Sequence, residues 1–457
     1  MGFIEAFNVK IDFSAVGDGL ADDTNAIQNA LNAVSTNGRG TVFFPSGIYK
    51  ISSPLRVPPK CTLLGLSGCF TQDGNRDVTL QGTRIVLASP TCNIIEPLDT
   101  INFYDSVIIQ GLILDGNRGT QKDPPYYSGI YMPDYSSTQK RSGMVVRDVM
   151  IMNVKGYGFY AGINQCEFLL DHVVSLNNSV HGFYFNSAQD ISLNYVWGGS
   201  NLSNGFYFSS CAGIKSHNCD AWGNSIGVNL ESSSNCVFHR LQTDLNQLYG
   251  VYVLTADNAS FIGSIFANNR RYSPGSYTNV LLNTNNPNGY GPFGVKFIGC
   301  QFGHYSNTAT TKSAIEDNSS IPRANIVSGC SFNQQEFVGG TISNILGKYI
   351  FEGCSAGNYG EIPFAIDYSW TSNDYTLTAR HKNIGVDTTT GNKTIYLPSI
   401  NSLLAGKEYL IIKASQLNTV VIQADAPING SGNTFNFTGG PWVAKRFIHG
   451  GNSWLAI

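Results

Sequence analysis

Five short segments repeat along the middle of this chain: GFYA from Gly158, GFYF from Gly182, GFYF from Gly205, GVNL from Gly227 and GVYV from Gly250. The gaps between them are 24, 23, 22 and 23 residues. A period in this range marks a unit that cannot bury a core alone and is stable only when stacked on copies of itself. Between successive segments lie further strand-like runs, FLLDHVV, ISLNYVW, IKSHNCD and VFHRLQT. Leucine-rich repeats have a similar period, but their L-x-x-L-x-L-x-x-N pattern is absent and no helical segment separates the strands. The spacing predicts an all-β right-handed parallel β-helix, a single-stranded solenoid. Weaker echoes extend it: VIIQGLILDG before, then SFIGSIFANN, VKFIGCQFGH, ANIVSGCSFN and YIFEGCSAGN after. Inserts at 118–142 and 270–292, rich in Pro, Tyr and Gly, are expected to leave the coils as surface loops.

The flanks differ from the coils. In DDTNAIQNALNAV, Ile27, Ala30, Leu31 and Val34 recur at helical spacing, with Asp23 or Thr24 placed as the N-cap. A single amphipathic helix followed by strands suggests a cap over the open end of a sheet. From about Pro363 the coil-like repeats give way to KTIYLPS, EYLIIKA, TVVIQAD, NTFNFTG and NSWLAI, which read as a small β-sandwich. The expected domains are an N-terminal cap over 1–39, the β-helix over 40–362 and a C-terminal β-sandwich over 363–457.

Composition limits the function. A net charge of −3 provides no basic field for nucleic acid or an anionic membrane. The amino terminus lacks the basic start and apolar core of a secretory signal, and no stretch reaches the length needed to cross a bilayer. The ten cysteines form no CxxC pairs and no zinc-like cluster with histidine, so neither a metal nor a cofactor is expected. IGC at Cys300, SGC at Cys330 and EGC at Cys354 read as buried, reduced thiols at equivalent positions of successive coils.

The run VKIDFSAVGDGLADDTNAIQNAL, followed by GTVFFPSGIYKISSPL, resembles the opening of pectate-lyase-like β-helix proteins, with Ser14 in place of the usual Gly. That resemblance implies the fold but not one reaction, since lyases, hydrolases, epimerases and transferases share it; it also implies that the acids of this motif serve the N-terminal turn. TTTGNKTIYLPS, AGKEYLIIKASQLNTVVIQADAPINGSG and GGNSWLAI resemble the C-terminal module of phage tailspikes. The two resemblances cover about the first 60 and last 80 residues. They imply a homotrimer, trimerised through the C-terminal module, that joins phage tail or baseplate proteins in the virion and binds or cuts a bacterial capsule, exopolysaccharide or O-antigen. No long virion-anchoring domain is visible ahead of the solenoid.

Strand alternation places Phe183, Phe185, Phe206, Phe208, Val228, Leu230, Val251 and Val253 inside. Tyr160, Tyr184, Tyr207, Asn229 and Tyr252 then point outward in one column, which Tyr131 extends. Exposed rings about 4.8 Å apart suit the apolar face of a pyranose, though they equally suit a trimer interface. Glu231 lies one pleat beyond Asn229, at the gap in the row, and is the leading candidate for general acid or nucleophile. Asp220 and Asp244 fall near matching positions of consecutive coils. Carboxylates one coil apart would be roughly 5 Å from each other, the retaining-glycosidase separation, and two coils apart would approach the inverting one; turn capping is the competing role. A second outward column is expected to read Asp171, Asn194, His217, Arg240. There His217 and Arg240 could neutralise a uronic acid as a lyase requires, or simply face water. Asp115 and the Asn-rich turns NNS, SNLSN and SSSN read as structural. These features favour a polysaccharide depolymerase acting by hydrolysis, with β-elimination, a non-enzymatic receptor-binding fibre and a cellular epimerase or fructotransferase as alternatives.

Overall fold

The computed structural model describes residues 6–66, 82–99, 105–135, 140–269, 276–283, 292–303, 311–318, 325–333, 343–344, 349–352, 354–356, 368–377, 383–403, 408–413, 417–438 and 443–457. Two compact units emerge: residues 1–320 with 333–342, and residues 321–332 with 343–457.

The first unit is a right-handed parallel β-helix whose coils each contribute to three faces. The first face stacks Gly156–Ala161, Phe183–Asn186, Asn204–Ser209, Ile226–Glu231 and Tyr249–Leu254 in parallel register. The second runs through Ser192–Asn194, Lys215–His217, Val237–His239 and Ser260–Ile262. The third runs through Trp197–Gly199, Asp220–Trp222, Gln242–Asp244 and Ile265–Ala267. In earlier coils the long strands Val145–Met152 and Leu169–Leu176 serve the second and third faces together. Both expected inserts contain a strand: Tyr127–Met132 pairs with Gly156–Ala161, and Val280–Asn283 pairs with Tyr249–Leu254. YSGIYM and VLLN carry the same inward apolar positions as their neighbours, so the coil captures them. Most of the remainder of 270–292 lies outside the described residues.

Corners are turned by single left-handed residues. Ser187, Ser210, Ser232 and Thr255 end the first-face strands; Tyr195, Asn218, Arg240 and Gly263 separate the second face from the third. Inside, an asparagine ladder joins the coils. Asn178 Nδ2 donates to Asn201 Oδ1 (2.8 Å), Asn201 to Asn224 (3.0 Å), Asn224 to Asn246 (3.1 Å) and Asn246 to Asn269 (2.8 Å). The ladder explains the glycine that opens each repeat. A Cβ on Gly205 would fall 2.8 Å from Asn224 Nδ2 and 2.8 Å from the Gly227 carbonyl, and one on Gly182 2.7 Å from Asn201 Nδ2. The phenylalanines behind it stack coil on coil, with Phe183–Phe206 and Phe185–Phe208 centroids both 4.9 Å apart. All eight residues expected inside are buried.

The helix α1 (Thr24–Asn37) buries Ile27, Ala30, Leu31 and Val34 and packs against the first coils. Asp23 is its N-cap, but the carboxylate turns back to accept the Val16 and Gly17 amides. Asp18 likewise accepts from Leu20 and Ala21, and Asp22 from Thr24 and Ser52. These acids are occupied by the turn. The nine described cysteines are free thiols. Cys300 donates to the Phe261 carbonyl, and burial pushes the thiols of Cys211 and Cys236 up to about 12.

In the second unit, two sheets enclose one core containing Ile384, Ile395, Tyr409, Ile422, Phe447 and Trp454. Within this unit Tyr368–Thr371, Asn383–Val386 and Glu408–Lys413 pair in parallel, as do Tyr375–Thr376, Lys393–Tyr396 and Val420–Gln423. Among the described residues the antiparallel pairs involve the last strands, Thr434–Phe437, Val443–His449 and Trp454–Ala456.

Candidate functional site

On the first face the outward column reads Tyr131, Tyr160, Tyr184, Tyr207, Asn229, Tyr252, each opposite the next. The tyrosines lean on one another: ring centroids are 5.3 Å apart for Tyr131–Tyr160, 5.4 Å for Tyr160–Tyr184 and 5.2 Å for Tyr184–Tyr207. Each is half-buried, presenting part of its ring to solvent. The row then passes Asn229, where the ring is missing and a buried Oδ1 has no hydrogen-bond partner. Tyr252 follows, its hydroxyl accepting from Asn283 (3.2 Å).

Three residues that alternation hid also belong here. Tyr157 and His181, the residues before Gly158 and Gly182, pack on the outer tyrosines although parity predicts the reverse. Tyr157 stacks on Tyr184 (5.3 Å, 25°), and His181 lies against Tyr157, Tyr184 and Tyr207. His181 is buried, its Nδ1 accepts the Asn204 amide (3.2 Å), and burial pushes its pKa down to about 3. The third is Asp134, beyond the strand Tyr127–Met132. Its Oδ1 accepts from the Tyr160 hydroxyl (3.4 Å) and from the Ile163 amide (2.9 Å). The HG of HGFYF was a legible signal; the reach of Asp134 from a loop was not.

Glu231 sits on this face and accepts a hydrogen bond from the Tyr207 hydroxyl. Two tyrosine–carboxylate pairs, Tyr160–Asp134 and Tyr207–Glu231, thus flank Tyr184. Burial first, and the adjacent carboxylates after it, raise the hydroxyls of Tyr160 and Tyr207 well above the ordinary tyrosine value. Burial also raises Tyr184, with Glu231 and Asp134 both contributing. These rings are neutral hydrogen-bond donors, not bases. The six strands from Tyr127 to Leu254 contain no lysine or arginine. At the two ends of the face, Arg56 is paired with Glu96 (3.2 Å) and Lys312 with Glu316 (2.8 Å).

The other expected residues lie elsewhere. Asp220 and Asp244 are on the third face and not in register: Asp220 stands opposite Gln242, and Asp244 opposite Trp222. One coil and one pleat separate them, on the order of 8 Å between backbones, and neither shares a face with Glu231. On the second face the column reads Arg147, Asp171, Asn194, His217, His239. Arg240 is the next residue, drawn into the left-handed corner (φ 53°) because this coil is one residue shorter. Asp171 holds Arg147 (2.9 Å), His172 (3.0 Å) and Asn194 (2.7 Å). Asp115 is buried beneath Arg84, Asn117 and Asn153, which makes it structural. Among the described residues no group of three or more His, Cys, Asp or Glu is placed to hold a metal ion, and no helix is long and apolar enough to cross a membrane.

Residues 6–257, the N-terminal turn and the coils that carry the tyrosine face, match the family described as rhamnogalacturonase A/epimerase, pectate lyase-like. The chain belongs to that family. Within this pectate-lyase-like group it is 31% identical to mannuronan C5-epimerase AlgE1 of Azotobacter vinelandii over 189 residues, 39% of this chain and 12% of that protein. It is 30% identical to the K30/K69-specific capsule depolymerase of Klebsiella phage K64-1 over 161 residues, 33% of this chain and 18% of that protein. The chain spans between 9% and 31% of the length of the curated epimerases it matches. Among solved structures, the A-module of epimerase AlgE6 of Azotobacter vinelandii superposes with a TM-score of 0.57 at 20% identity, covering 77% of this chain and 97% of that one. The enzymatically active domain of tailspike protein 2 of bacteriophage CBA120 superposes at 0.50 and 13% identity, covering 72% and 48%. At these identities the likeness is one of fold.

Proposed function

We propose that the chain is a tailspike-type depolymerase that cleaves a bacterial surface polysaccharide by glycoside hydrolysis on the tyrosine face. The observation that carries this is the pair of tyrosine-bound carboxylates flanking Tyr184, on six strands that contain no lysine or arginine. Tyr131, Tyr160, Tyr184 and Tyr252 offer ring edges and hydroxyls to a sugar chain, and the notch at Asn229 admits a substituent between rings. Glu231, the more enclosed carboxyl, is the general acid that protonates the leaving glycosidic oxygen. Asp134, exposed, is the base that takes a proton from the water attacking the anomeric carbon. β-Elimination is disfavoured because it needs a base beside a cation that neutralises a uronate, and here the tyrosines are held protonated. His217, on the second face, and Arg240, at the corner beyond it, take no part. The tailspike-like C-terminal segment and the capsule depolymerase relative support action from a phage tail as a homotrimer, which the mass in solution checks.

The test is incubation with purified capsules and lipopolysaccharides. New reducing ends without the ultraviolet absorbance of an unsaturated uronate support hydrolysis; growth of that absorbance overturns it in favour of a lyase. Binding without any product supports a receptor-binding fibre instead.

A further inference from the structure

The third face carries aromatic and acidic chemistry that the tyrosine site does not use. Its outward positions begin as an aliphatic stripe, Ile113, Met150, Met152, Val174 and Leu176, which forms an apolar cluster of its own outside the solenoid core. The segment after Asp115 folds back along this stripe: the Arg118 side chain donates to the Asn177 carbonyl (2.6 Å), and Ser179 donates to the Gln121 carbonyl (2.9 Å). Those aliphatic side chains are at most 9% exposed. The stripe continues as Trp197 one coil further on and Trp222 two coils further on; both pack against the cluster and are only partly buried. Trp222 lies flat across Gly199, where a Cβ would fall 2.2 Å from the ring. Opposite Trp197 stands Asp220, and opposite Trp222 stands Asp244.

We infer that this indole–carboxylate array is a second, non-catalytic glycan-binding subsite, which holds a neutral or amino-sugar segment of the polymer cleaved on the tyrosine face. The inference rests on the polysaccharide reading of that face. Indole faces take the apolar side of a pyranose, and adjacent carboxylates accept its hydroxyls. The alternation matters: an aliphatic stripe would suit a protein partner, but here each ring stands beside an acid. A second copy of the same face, docked about a twofold axis, would bring the acidic positions Asp220 and Asp244 against the same acidic patch, which costs affinity. A strand of sugar meets no such repulsion. Two contacts on one solenoid raise the effective concentration of polymer at the cleaving face.

The experiment uses the full chain and an array of purified bacterial capsular polysaccharides and lipopolysaccharides. In a Glu231→Gln background, Trp197→Ala with Trp222→Ala is expected to weaken binding to the recognised polymer about tenfold. With Glu231 intact, the same pair should raise KM on the polymer and leave turnover of short oligosaccharides unchanged. Asp220→Asn with Asp244→Asn, which leaves the apolar packing in place, should weaken polymer binding in the same direction. Quenching of tryptophan emission by polymer should fall when Trp222 becomes Phe. A folded tryptophan variant that binds polymer like its parent overturns the subsite while cleavage stands. A change in the solution mass of that variant overturns it in favour of self-association. A parent protein that neither binds nor cuts any glycan overturns both readings.

Discussion

Acid should loosen the tyrosine face, and His181 sets the pH at which it does so. In the folded chain this imidazole is 7% exposed, boxed by Tyr157 (5.6 Å), Tyr184 (5.5 Å) and Tyr207 (5.0 Å). Its Nδ1 lone pair is committed to the Asn204 amide. Protonation would leave a desolvated cation, and that burial is why the pKa falls from 6.5 to about 3. The unfolded chain takes up the proton below 6.5 and the folded one does not, so the stability tied to the neutral ring is full above 6.5 and drains as pH falls toward 3. The slope is about 1.4 kcal/mol per pH unit. That amounts to about 2 kcal/mol lost by pH 5 and about 4 kcal/mol by pH 3. His181→Asn keeps an acceptor near the Asn204 amide and cannot titrate. Denaturant unfolding followed by tyrosine emission, at half-unit steps of pH, should give a wild-type-minus-variant difference that is flat above neutrality and slopes below it. Parallel curves would refute the assignment of a buried neutral imidazole.

Gly205→Ala should cost about 1–3 kcal/mol through overpacking against Asn224 and the Gly227 carbonyl. Asn224→Ala removes the acceptor of the Asn201 amide and the donor to the Gly198 carbonyl, costing about 1–3 kcal/mol for each buried group left unpaired. Because the clash partner is then gone, the double variant should be less destabilised than the sum, and additive midpoints in denaturant would contradict the shared space. Glu231→Gln and Asp134→Asn should each lower kcat by roughly 10²–10⁴ with polymer binding retained, read as reducing ends released. Asp171, lowered below its ordinary 3.8 because bonds from Asn194, Arg147 and His172 outweigh its burial, stabilises the fold above that value. The contribution disappears as pH falls through the folded pKa, and a flat acid difference between wild type and Asp171→Asn would contradict it.

Much of the coil was legible because the repeat is a physical necessity. The glycine of GFYF, the two inward phenylalanines and the outward tyrosine follow from the asparagine ladder and strand alternation, and all stand where periodicity puts them. The site was legible only in part. Glu231 and the tyrosine column could be read because they follow the alternation of successive first-face strands. Tyr157 fell on the inward parity of the spacing, and His181 was signalled only by its place before the glycine of HGFYF. Arg240 and the Asp220–Asp244 match failed for a related reason. Coil length varies from 22 to 24 residues, so a one- or two-residue drift moves a side chain from a face to a corner or to the next pleat. Asp134 approaches from a loop, and no periodicity reports on loops.

The stacking also quantises what chemistry the face can hold. Side chains on one column recur only at multiples of the coil spacing, about 4.8 Å. Two carboxylates anchored to tyrosines of adjacent coils would therefore stand roughly 5 Å apart, the separation of a retaining enzyme, and those anchored two coils apart roughly 10 Å, at the upper end of the inverting range. Tyr160 and Tyr207 are separated by the single coil of Tyr184; Asp134 comes from the coil before Tyr160 and Glu231 from the coil after Tyr207, each reaching inward to its tyrosine, so the two carboxyls stand no closer than the second class, with room between them for a water and a sugar ring. The expected outcome is inversion at the anomeric carbon. Proton NMR of the first product formed, recorded before mutarotation, should show the anomer opposite to the linkage cleaved. Retention would mean that a carboxylate attacks the sugar directly, which carboxyls two coils apart cannot do, and would remove Asp134 from the mechanism.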